Sequence, residues 1–394
     1  MDFKTRDVMK TAQLVKPNSR KKTQKAAGAP TASKDQTKEL FLDVKASSIK
    51  RCTISPATTI LQTIKAIDLG GIQIAFVVNQ KNELLGTVTD GDIRRGILKG
   101  ISLEAEVQKV MNGRPVMVQE GEPISQILST MKKKMLRQLP VVNLQNRFVG
   151  VKILSEYSKN GIKDNWVVLM IGGQGDRLRP LTENCPKPLL KVGNKPLLET
   201  ILTSFIEHKF HRFYMAGHYK LDMVKEYFGD GSKWNAEIRY IHEDKRMGTA
   251  GALSLLPELP TEPFFVMNGD LLTKVNFQQL LDFHNEHQVQ ATMCVTEYDL
   301  TIPYGVVRIK DGQIDGIDEK PVQRFFVNAG IYVLEPNVLK QIPKGQSFDM
   351  PQLFERLNQS KSKTAVFPIR EYWLDIGRVD DFERANGEFH EVFA

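Results

Sequence analysis

Two aspartates in this sequence stand just past short apolar runs. Asp270 closes Phe264-Phe265-Val266-Met267-Asn268-Gly269-Asp270, and Asp375 sits in Tyr372-Trp373-Leu374-Asp375-Ile376-Gly377, after a further run at 365–368. An aspartate delivered past the end of a strand is suited to Mg2+, which takes one or two carboxylates and completes its octahedron with waters and phosphate oxygens. A lone Gly-Asp reads equally well as a turn, and spacing alone does not make the two aspartates converge. The phosphates that such a metal needs have a candidate cradle. The run at 167–171 empties into Gly172-Gly173-Gln174-Gly175, and the cations Arg177, Arg179 and Lys187 follow. Glycines let the backbone bend sharply and bring its N–H groups close to an anion.

Two familiar phosphate loops do not fit this stretch. The dinucleotide fingerprint needs a third glycine where Leu178 stands, with a helix beginning at once. The P-loop needs Gly-Lys-Ser/Thr, and the chain has Asp176-Arg177-Leu178 instead. No serine or cysteine sits in a nucleophile elbow. His284 and His287 lie three apart on a predicted helix with no third ligand suitably spaced, so an exposed face is expected there. The Lys132-Lys133-Lys134 run reads as a solvated helix face.

The elements that must position these residues alternate. Strands are predicted at 167–171, 211–216, 237–242, 263–267 and 291–297, and helices near 195–208, 219–228, 249–256, 276–288, 350–358 and 380–390. This pattern predicts an α/β fold with a mostly parallel sheet covered by helices on both faces. Ligands of such sheets bind beyond the carboxyl ends of the strands, where the glycine turn falls. Thr249, in Gly-Thr-Ala-Gly, reads as a helix cap. Asp311-Gly312 and Asp315-Gly316 read as hairpin turns.

Continued through Pro180, Pro186-Lys187-Pro188 and Gly193, the glycine stretch resembles the signature of the sugar-1-phosphate nucleotidyltransferases (NDP-sugar pyrophosphorylases), whose sheet is Rossmann-like and GT-A-like. The resemblance implies four catalytic residues. Arg177 would hold the leaving β- and γ-phosphates, Lys187 the α-phosphate and the incoming sugar phosphate, and Asp270 and Asp375 one Mg2+. Gly172, Gly173, Gln174 and Gly175 would cradle the nucleotide. Glu243 and Gly248, in Glu243-Asp244-Lys245-Arg246-Met247-Gly248-Thr249-Ala250-Gly251, would meet the base. Tyr304-Gly305-Val306-Val307, Glu319-Lys320-Pro321 and Asn328-Ala329-Gly330 resemble the sugar-phosphate segments, with Lys320 on the phosphate and Gly305, Glu319 and Asn328 near the hydroxyls. Asp176 departs from the pattern, since many relatives carry Thr there. A carboxylate beside a triphosphate is unfavourable unless it points away or meets the metal.

Residues 48–160 contain a repeat at an offset of 64. Val77-Val78-Asn79 matches Val141-Val142-Asn143, Asn82 matches Asn146, and Gly86 matches Gly150. Each copy reads strand, helix, strand, turn, strand, helix, and two such units pack together because neither buries its apolar face alone. The pair resembles tandem cystathionine-β-synthase (CBS) domains, which commonly bind adenosine nucleotides such as AMP, ADP or ATP. Thr89 and Asp92 fill that family's hydroxyl and ribose-binding positions. The second copy has Ile153 and Glu156 instead, so at most one competent site is expected, and a pair kept only for packing is the alternative.

Composition narrows the classes further. The chain has 394 residues, 41% hydrophobic and 25% charged, as in ordinary globular proteins of two or three domains. No apolar run approaches the ~18 residues of a membrane helix, and the polar start has no secretory core, so a cytoplasmic protein without a membrane partner is expected. Cys52, Cys185 and Cys294 are odd in number and scattered, which disfavours disulfides or zinc. Of the net charge of +8, the first 40 residues supply most, with ten Lys/Arg against four Asp/Glu. Residues 1–40 therefore read as a disordered basic tail, and no nucleic-acid partner is expected.

The expected organisation is a tail (1–40), a CBS pair (41–160, divided as 41–104 and 105–160), a linker (161–165) and a nucleotidyltransferase domain (166–394). The combination resembles bacterial enzymes that make GDP-sugars, including glucosamine-1-phosphate and mannose-1-phosphate guanylyltransferases. GTP is thus the favoured donor, with surface glycan or nonulosonic acid synthesis as the purpose, adenosine nucleotides as regulators and a homo-oligomer as the assembly. A uridylyl- or thymidylyltransferase, an inactive adenosine-nucleotide sensor and an RNA binder acting through the tail are the alternatives. No hexapeptide-repeat extension is read after the transferase, so no coupled acetyltransferase is expected.

Overall fold

The computed structural model describes residues 44–134, 136–154 and 162–393. The expected basic tail and Glu156 lie outside them. The first copy comprises α1 (Ala46–Arg51), β1 (Thr53–Ile54), α2 (Ile60–Gly70), β2 (Ile74–Val78), β3 (Leu84–Thr89) and α3 (Asp90–Leu98). The second comprises β4 (Val118–Gln119), α4 (Ile124–Lys133), β5 (Gln138–Val142) and β6 (Phe148–Ile153). Each copy forms a three-stranded sheet with one parallel and one antiparallel pair.

The repeat offset has a structural counterpart. Asn82 and Asn146 both take left-handed backbone, which asparagine tolerates better than most residues. Each turn bonds to the other copy: Phe148 N donates to Asn82 O, Leu84 N to Asn146 O, and Asn82 Nδ2 to Phe148 O. Phe76 stacks on Phe148 in a core built from both copies. Lys132, Lys133 and Lys134 are exposed, in line with a solvated helix face.

The larger domain follows as β7 (Lys163–Met170), β8 (Lys191–Val192), β9 (Lys195–Pro196), α5 (Leu197–Glu207), β10 (Phe210–Gly217), α6 (Leu221–Phe228), β11 (Glu237–His242), α7 (Gly248–Gly251), β12 (Phe264–Asn268), β13 (Leu271–Thr273) and α8 (Phe277–His287). It continues with β14 (Ala291–Thr301), β15 (Val306–Lys310), β16 (Gln313–Asp318), β17 (Val322–Leu334), α9 (Met350–Gln359), β18 (Thr364–Pro368), β19 (Trp373–Asp375) and α10 (Val379–Phe393). A seven-stranded sheet runs β11-β10-β7-β12-β17-β14-β18. Only the two pairings of β17 are antiparallel.

Alternation along the central strands fills both faces. Val167 and Leu169 of β7, Phe213 and Met215 of β10, and Phe265 and Met267 of β12 enter one core. Val168, Tyr214, Ala216, Phe264 and Val266 enter the other. Phe205 of α5 stacks on Phe277 at 3.6 Å between ring centroids, closing the first core. Burying such a side chain contributes about 1.5–3 kcal/mol.

Four expectations are corrected. Lys163, Asp164 and Asn165, expected as linker, open β7, where Lys163 pairs with Phe210 and Asn165 Nδ2 donates to Pro263 O. His284 is fully buried rather than on an exposed face; its Nδ1 meets Thr292 Oγ1 at 2.9 Å, and burial pushes its pKa down to about 4. Thr249 lies inside α7 and does not cap it. Its Oγ1 accepts from Met350 N, at the start of α9. Asp315-Gly316 falls within β16; only Asp311 and Gly312, both at positive φ, form the turn joining β15 to β16.

Candidate active site

The strand order reverses around β7: β10 and β11 extend to one side and β12 begins the other. In open α/β sheets, ligands bind at such a reversal. A cavity of about 480 Å3 opens there, with Gly172, Gly173, Gln174 and Gly175 after β7 and Asp270 after β12 in its wall. Gly175 is at φ +68°, and a Cβ on it would come 2.7 Å from Thr182 Cγ2, so the turn requires glycine. Its carbonyl accepts from Thr182 Oγ1 and Leu178 N, which holds the short 3-10 turn Asp176–Leu178.

Lys187 crosses from the next segment, 8% exposed, and its Nζ lies 2.6 Å from Asp270 Oδ2. The other oxygen, Asp270 Oδ1, is buried without a hydrogen-bond partner. Burying a carboxylate oxygen unpaired is costly, so an orphan here is suited to holding a cation. The second aspartate converges on the same place. Asp375 of β19 pairs with Leu271 of β13, and Ile376 N donates to Asp270 O. Asp375 is exposed and outside the cavity's lining; partial loss of hydration and then the Asp270 charge lift its carboxyl above the ordinary range. Gly377 lines the cavity, and a Cβ there would lie 3.8 Å from Asp375 Oδ1 and 3.9 Å from Arg177 Nη1.

Glu243 and Gly248 form the far wall. Glu243 is buried; its Oε2 accepts from Met247 N, its Oε1 would lie 3.1 Å from a Cβ on Gly172, and burial lifts its carboxyl. Gly248 is at φ +76°, with Asp349 Oδ1 and Phe348 O where a Cβ would go. Asp176 faces the same cavity, but its Oδ1 meets Arg179 Nη2 at 3.0 Å. That pair is exposed and worth at most about 1 kcal/mol, yet it answers the added negative charge.

The structure thus brings Gly172, Gly173, Gln174, Gly175, Arg177, Lys187, Glu243, Gly248 and Asp270 to one cavity, with Asp375 beside Asp270. The sugar-phosphate residues are placed elsewhere. Gly305, Glu319 and Lys320 flank the β15–β16 hairpin and are exposed, and Asn328 is exposed on β17, where it bonds Tyr332 and Gly330. Gly305 and Glu319 lie together, since Glu319 Oε2 would be 2.9 Å from a Cβ on Gly305. None of the four lines the cavity. Sequence reasoning gave no role to Arg246 and Asn268, which do. Their signal was position alone: Arg246 two residues before Gly248, Asn268 at a strand end before Gly-Asp.

A second cavity, of about 330 Å3, lies in the CBS pair and is lined by Thr89, Asp92, Arg95, Lys134 and Arg137, with Glu286 of α8 reaching in from the larger domain. Thr89 caps α3, and Asp92 Oδ2 accepts from both Thr89 N and Thr89 Oγ1, while Arg95 holds Asp92 Oδ1 at 2.6 Å. Among the described residues, no cluster of three or more His, Cys, Asp or Glu could hold a metal, and no helix is long and apolar enough to cross a membrane.

The profile of a family described as "Nucleotidyl transferase" matches residues 166–391, and that of the CBS domain matches 46–99 and 107–151. The chain is 35% identical over 223 residues to a mannose-1-phosphate guanylyltransferase catalytic subunit beta of Drosophila pseudoobscura pseudoobscura, covering 55% of this chain and 60% of that protein. It is 34% identical over 227 residues to a mannose-1-phosphate guanyltransferase of Aspergillus fumigatus, covering 55% and 61%. The chain therefore spans about 60% of the length of the curated relatives it matches. Among solved structures it is similar to HddC from Yersinia pseudotuberculosis, complexed with GMP-PN, at 22% identity and a TM-score of 0.45, covering 57% of this chain and 99% of that one.

Proposed function

We propose a sugar-1-phosphate nucleotidyltransferase, because the chain belongs to the nucleotidyl transferase family and places a lysine–aspartate pair with an orphaned carboxylate oxygen in a glycine-walled cavity. The observation that carries this reading is Asp270: one oxygen engages Lys187, the other is buried without a partner, and Asp375 stands alongside. Two carboxylates with open space before them fit Mg2+, whose remaining positions go to water and phosphate oxygens. When bound, the metal would neutralise charge on the triphosphate; Asp270 and Asp375 would hold it.

The reaction needs no covalent nucleophile. A phosphate oxygen of the sugar 1-phosphate attacks the α-phosphorus of the nucleoside triphosphate. A new P–O bond forms as the α–β bridge breaks, and pyrophosphate leaves with the electron pair. Both reactants are anions, so the protein's work is to position them and to offset the charge that gathers. Lys187 would meet the α-phosphate and the incoming phosphate, Arg177 the leaving β- and γ-phosphates, and the backbone from Gly172 to Gly175 would line the cradle. Glu243 and Gly248 would border the base. Lys320 would take the sugar phosphate, with Gly305, Glu319 and Asn328 at the hydroxyls.

GTP as donor and a GDP-sugar as product rest on the names of the relatives, both guanylyl enzymes acting on mannose 1-phosphate. A cytoplasmic homo-oligomer making GDP-sugars for surface glycans or nonulosonic acids extends the reading, with AMP, ADP or ATP at Thr89 and Asp92 as regulator. The deciding experiment is pyrophosphate release from a panel of four nucleoside triphosphates against mannose, glucose and glucosamine 1-phosphates. GTP with mannose or glucosamine 1-phosphate is expected to be turned over fastest. Release from none of the pairs would refute the transferase reading and leave a sensor.

A further inference from the structure

Arg94 of α3 has no exposed surface, and its partners lie mostly in the other domain. Its Nη1 donates to Pro368 O, its Nη2 lies 2.9 Å from Glu371 Oε1, and its guanidinium sits 3.7 Å over the Phe367 ring. Its Nε returns to Asp90, one turn back on α3, and Asp90 also receives Arg370 Nη2. Arg94 thus bridges two carboxylates and Asp90 two guanidinium groups across the domain boundary. Arg370 N donates to Glu371 Oε2, and Asp68 lies within reach of all four charges, while Arg370 Nε and Nη1 are buried without a partner. Burial alone would lift the Glu371 carboxyl, but Arg94 and Arg370 beside it hold it below the ordinary range. A buried charge is tolerated only when its partners are held in place, so this cluster fixes backbone as well as side chains.

The backbone that it fixes leads directly to the active site. Pro368 ends β18, and the chain runs through Arg370 and Glu371 into β19. Tyr372 O accepts from Lys274 N and Thr273 Oγ1; Trp373, Leu374 and Asp375 then pair with Thr273, Leu272 and Leu271. Three residues separate Glu371 from Asp375. At its other end α3 begins at the CBS cavity: Thr89 is its cap, Asp92 completes the capping box, and Asp90 stands between them. A ligand that engages Asp92 must compete with its capping bonds to Thr89, which set where α3 starts, and with its ion pair to Arg95.

We propose that Asp90, Arg94, Arg370 and Glu371 are positioning residues for Asp375, and that α3 carries the occupancy of the CBS cavity to them. The proposal rests on the transferase reading above for its consequence, but its structural part does not.

The test uses the full chain and two readouts. In metal-free protein, hydrogen exchange of peptides spanning 368–376 is compared with that of β7 and β12. The variant Arg94→Met/Glu371→Gln removes one cation and one anion while keeping volume, and Arg94→Lys keeps the charge. We expect exchange at 369–376 to rise at least tenfold in the double variant, with wild-type rates in β7 and β12, and Arg94→Lys in between. In pyrophosphate release, the Mg2+ concentration for half-maximal rate should rise several-fold while KM for the sugar phosphate holds. Wild-type exchange at 369–376, or a uniform loss of protection across the sheet, would overturn the positioning role.

For transmission, AMP, ADP and ATP are the probes. The one that binds by calorimetry should change exchange at 369–376 in the wild type and leave it unchanged in the double variant. Binding without that change, or no binding by any of the three, overturns the transmission. If no substrate pair releases pyrophosphate, the transferase reading falls and the exchange result stands on its own.

Discussion

The two halves of the transferase domain hold their candidate residues in opposite ways. Gly172, Glu243 and Asp270 follow the ends of β7, β11 and β12 in a sheet whose two faces are both packed, and Lys187 comes to them from a short 3-10 turn, Lys187–Leu189. Gly305, Glu319 and Lys320 flank a two-stranded hairpin whose apolar side chains face outward, with Ile309 74% and Ile314 69% exposed. A strand end in a close-packed sheet can fix an atom within hydrogen-bonding distance of another, as Asp270 does for Lys187. A two-stranded hairpin is marginal by itself and takes its position from what it touches. The cavity proposed for the nucleotide is therefore preformed, and the hairpin proposed for the sugar depends on its contacts.

Variants can break or sharpen that contrast. The largest effect belongs to the preformed side: Lys187→Ala or Asp270→Ala should lower kcat by about 100-fold or more. Lys187→Ala also leaves Asp270 without its cation, so its melting temperature should fall. Pyrophosphate release and a thermal melt measure both; near-normal turnover in either variant removes the assignment. Gly175→Ala comes next. Its positive φ and the Thr182 methyl group in the way should cost roughly 1–3 kcal/mol, read as a lower melting temperature and a raised KM for the triphosphate.

On the hairpin, Lys320→Ala should raise KM for the sugar 1-phosphate about tenfold, some 1.4 kcal/mol, with the triphosphate KM and the melting temperature unchanged. A parallel loss of stability would place the hairpin with the packed elements instead. The smallest effect is on pH. Asp375 has its carboxyl raised by lost hydration and the Asp270 charge, so its protonated form is favoured in the folded state. It stabilises the metal-free fold at low pH, and that contribution is lost as pH rises through its raised pKa. Asp375→Asn should therefore raise the metal-free melting temperature slightly at pH 8 and leave it unchanged at pH 4. In the wild type, Mg2+ dependence should steepen as pH falls, beginning above the range of an ordinary aspartate.

How much of this was legible in the sequence follows the same division. Apolar runs bounded by turns gave the strands of the central sheet, down to Glu237–His242 with both ends right. The offset of 64 is matched by β2 against β5 and β3 against β6. What periodicity could not supply was pairing. β17 enters the sheet antiparallel between β12 and β14, and its exposed first half hid it among the hairpin residues. His284 looked polar and superficial, but one hydroxyl, Thr292 Oγ1, lets it sit in the core. Thr249 had the residue type of a cap and bonds to a different helix, since Asp349 and Met350 come to it from a hundred residues away. Arg94 gave no signal at all, because its partners outside α3 are more than 270 residues off in the chain.

The twin asparagine turns make the CBS pair close to symmetric, and a symmetric module could sit on its neighbour in either of two orientations. The unlike ion pairs of the two copies, Arg94 with Glu371 and Arg137 with Asp282, remove that freedom. At the offset of 64, the places of Asp90 and Arg94 fall to Leu154 and Ser158, which offer neither carboxylate nor guanidinium. The second copy holds no key to the lock around Pro368 and Glu371. Duplication supplied two like halves, and each meets the larger domain through a different arginine: Arg94 of the first at Pro368 and Glu371, Arg137 of the second at Asp282 of α8.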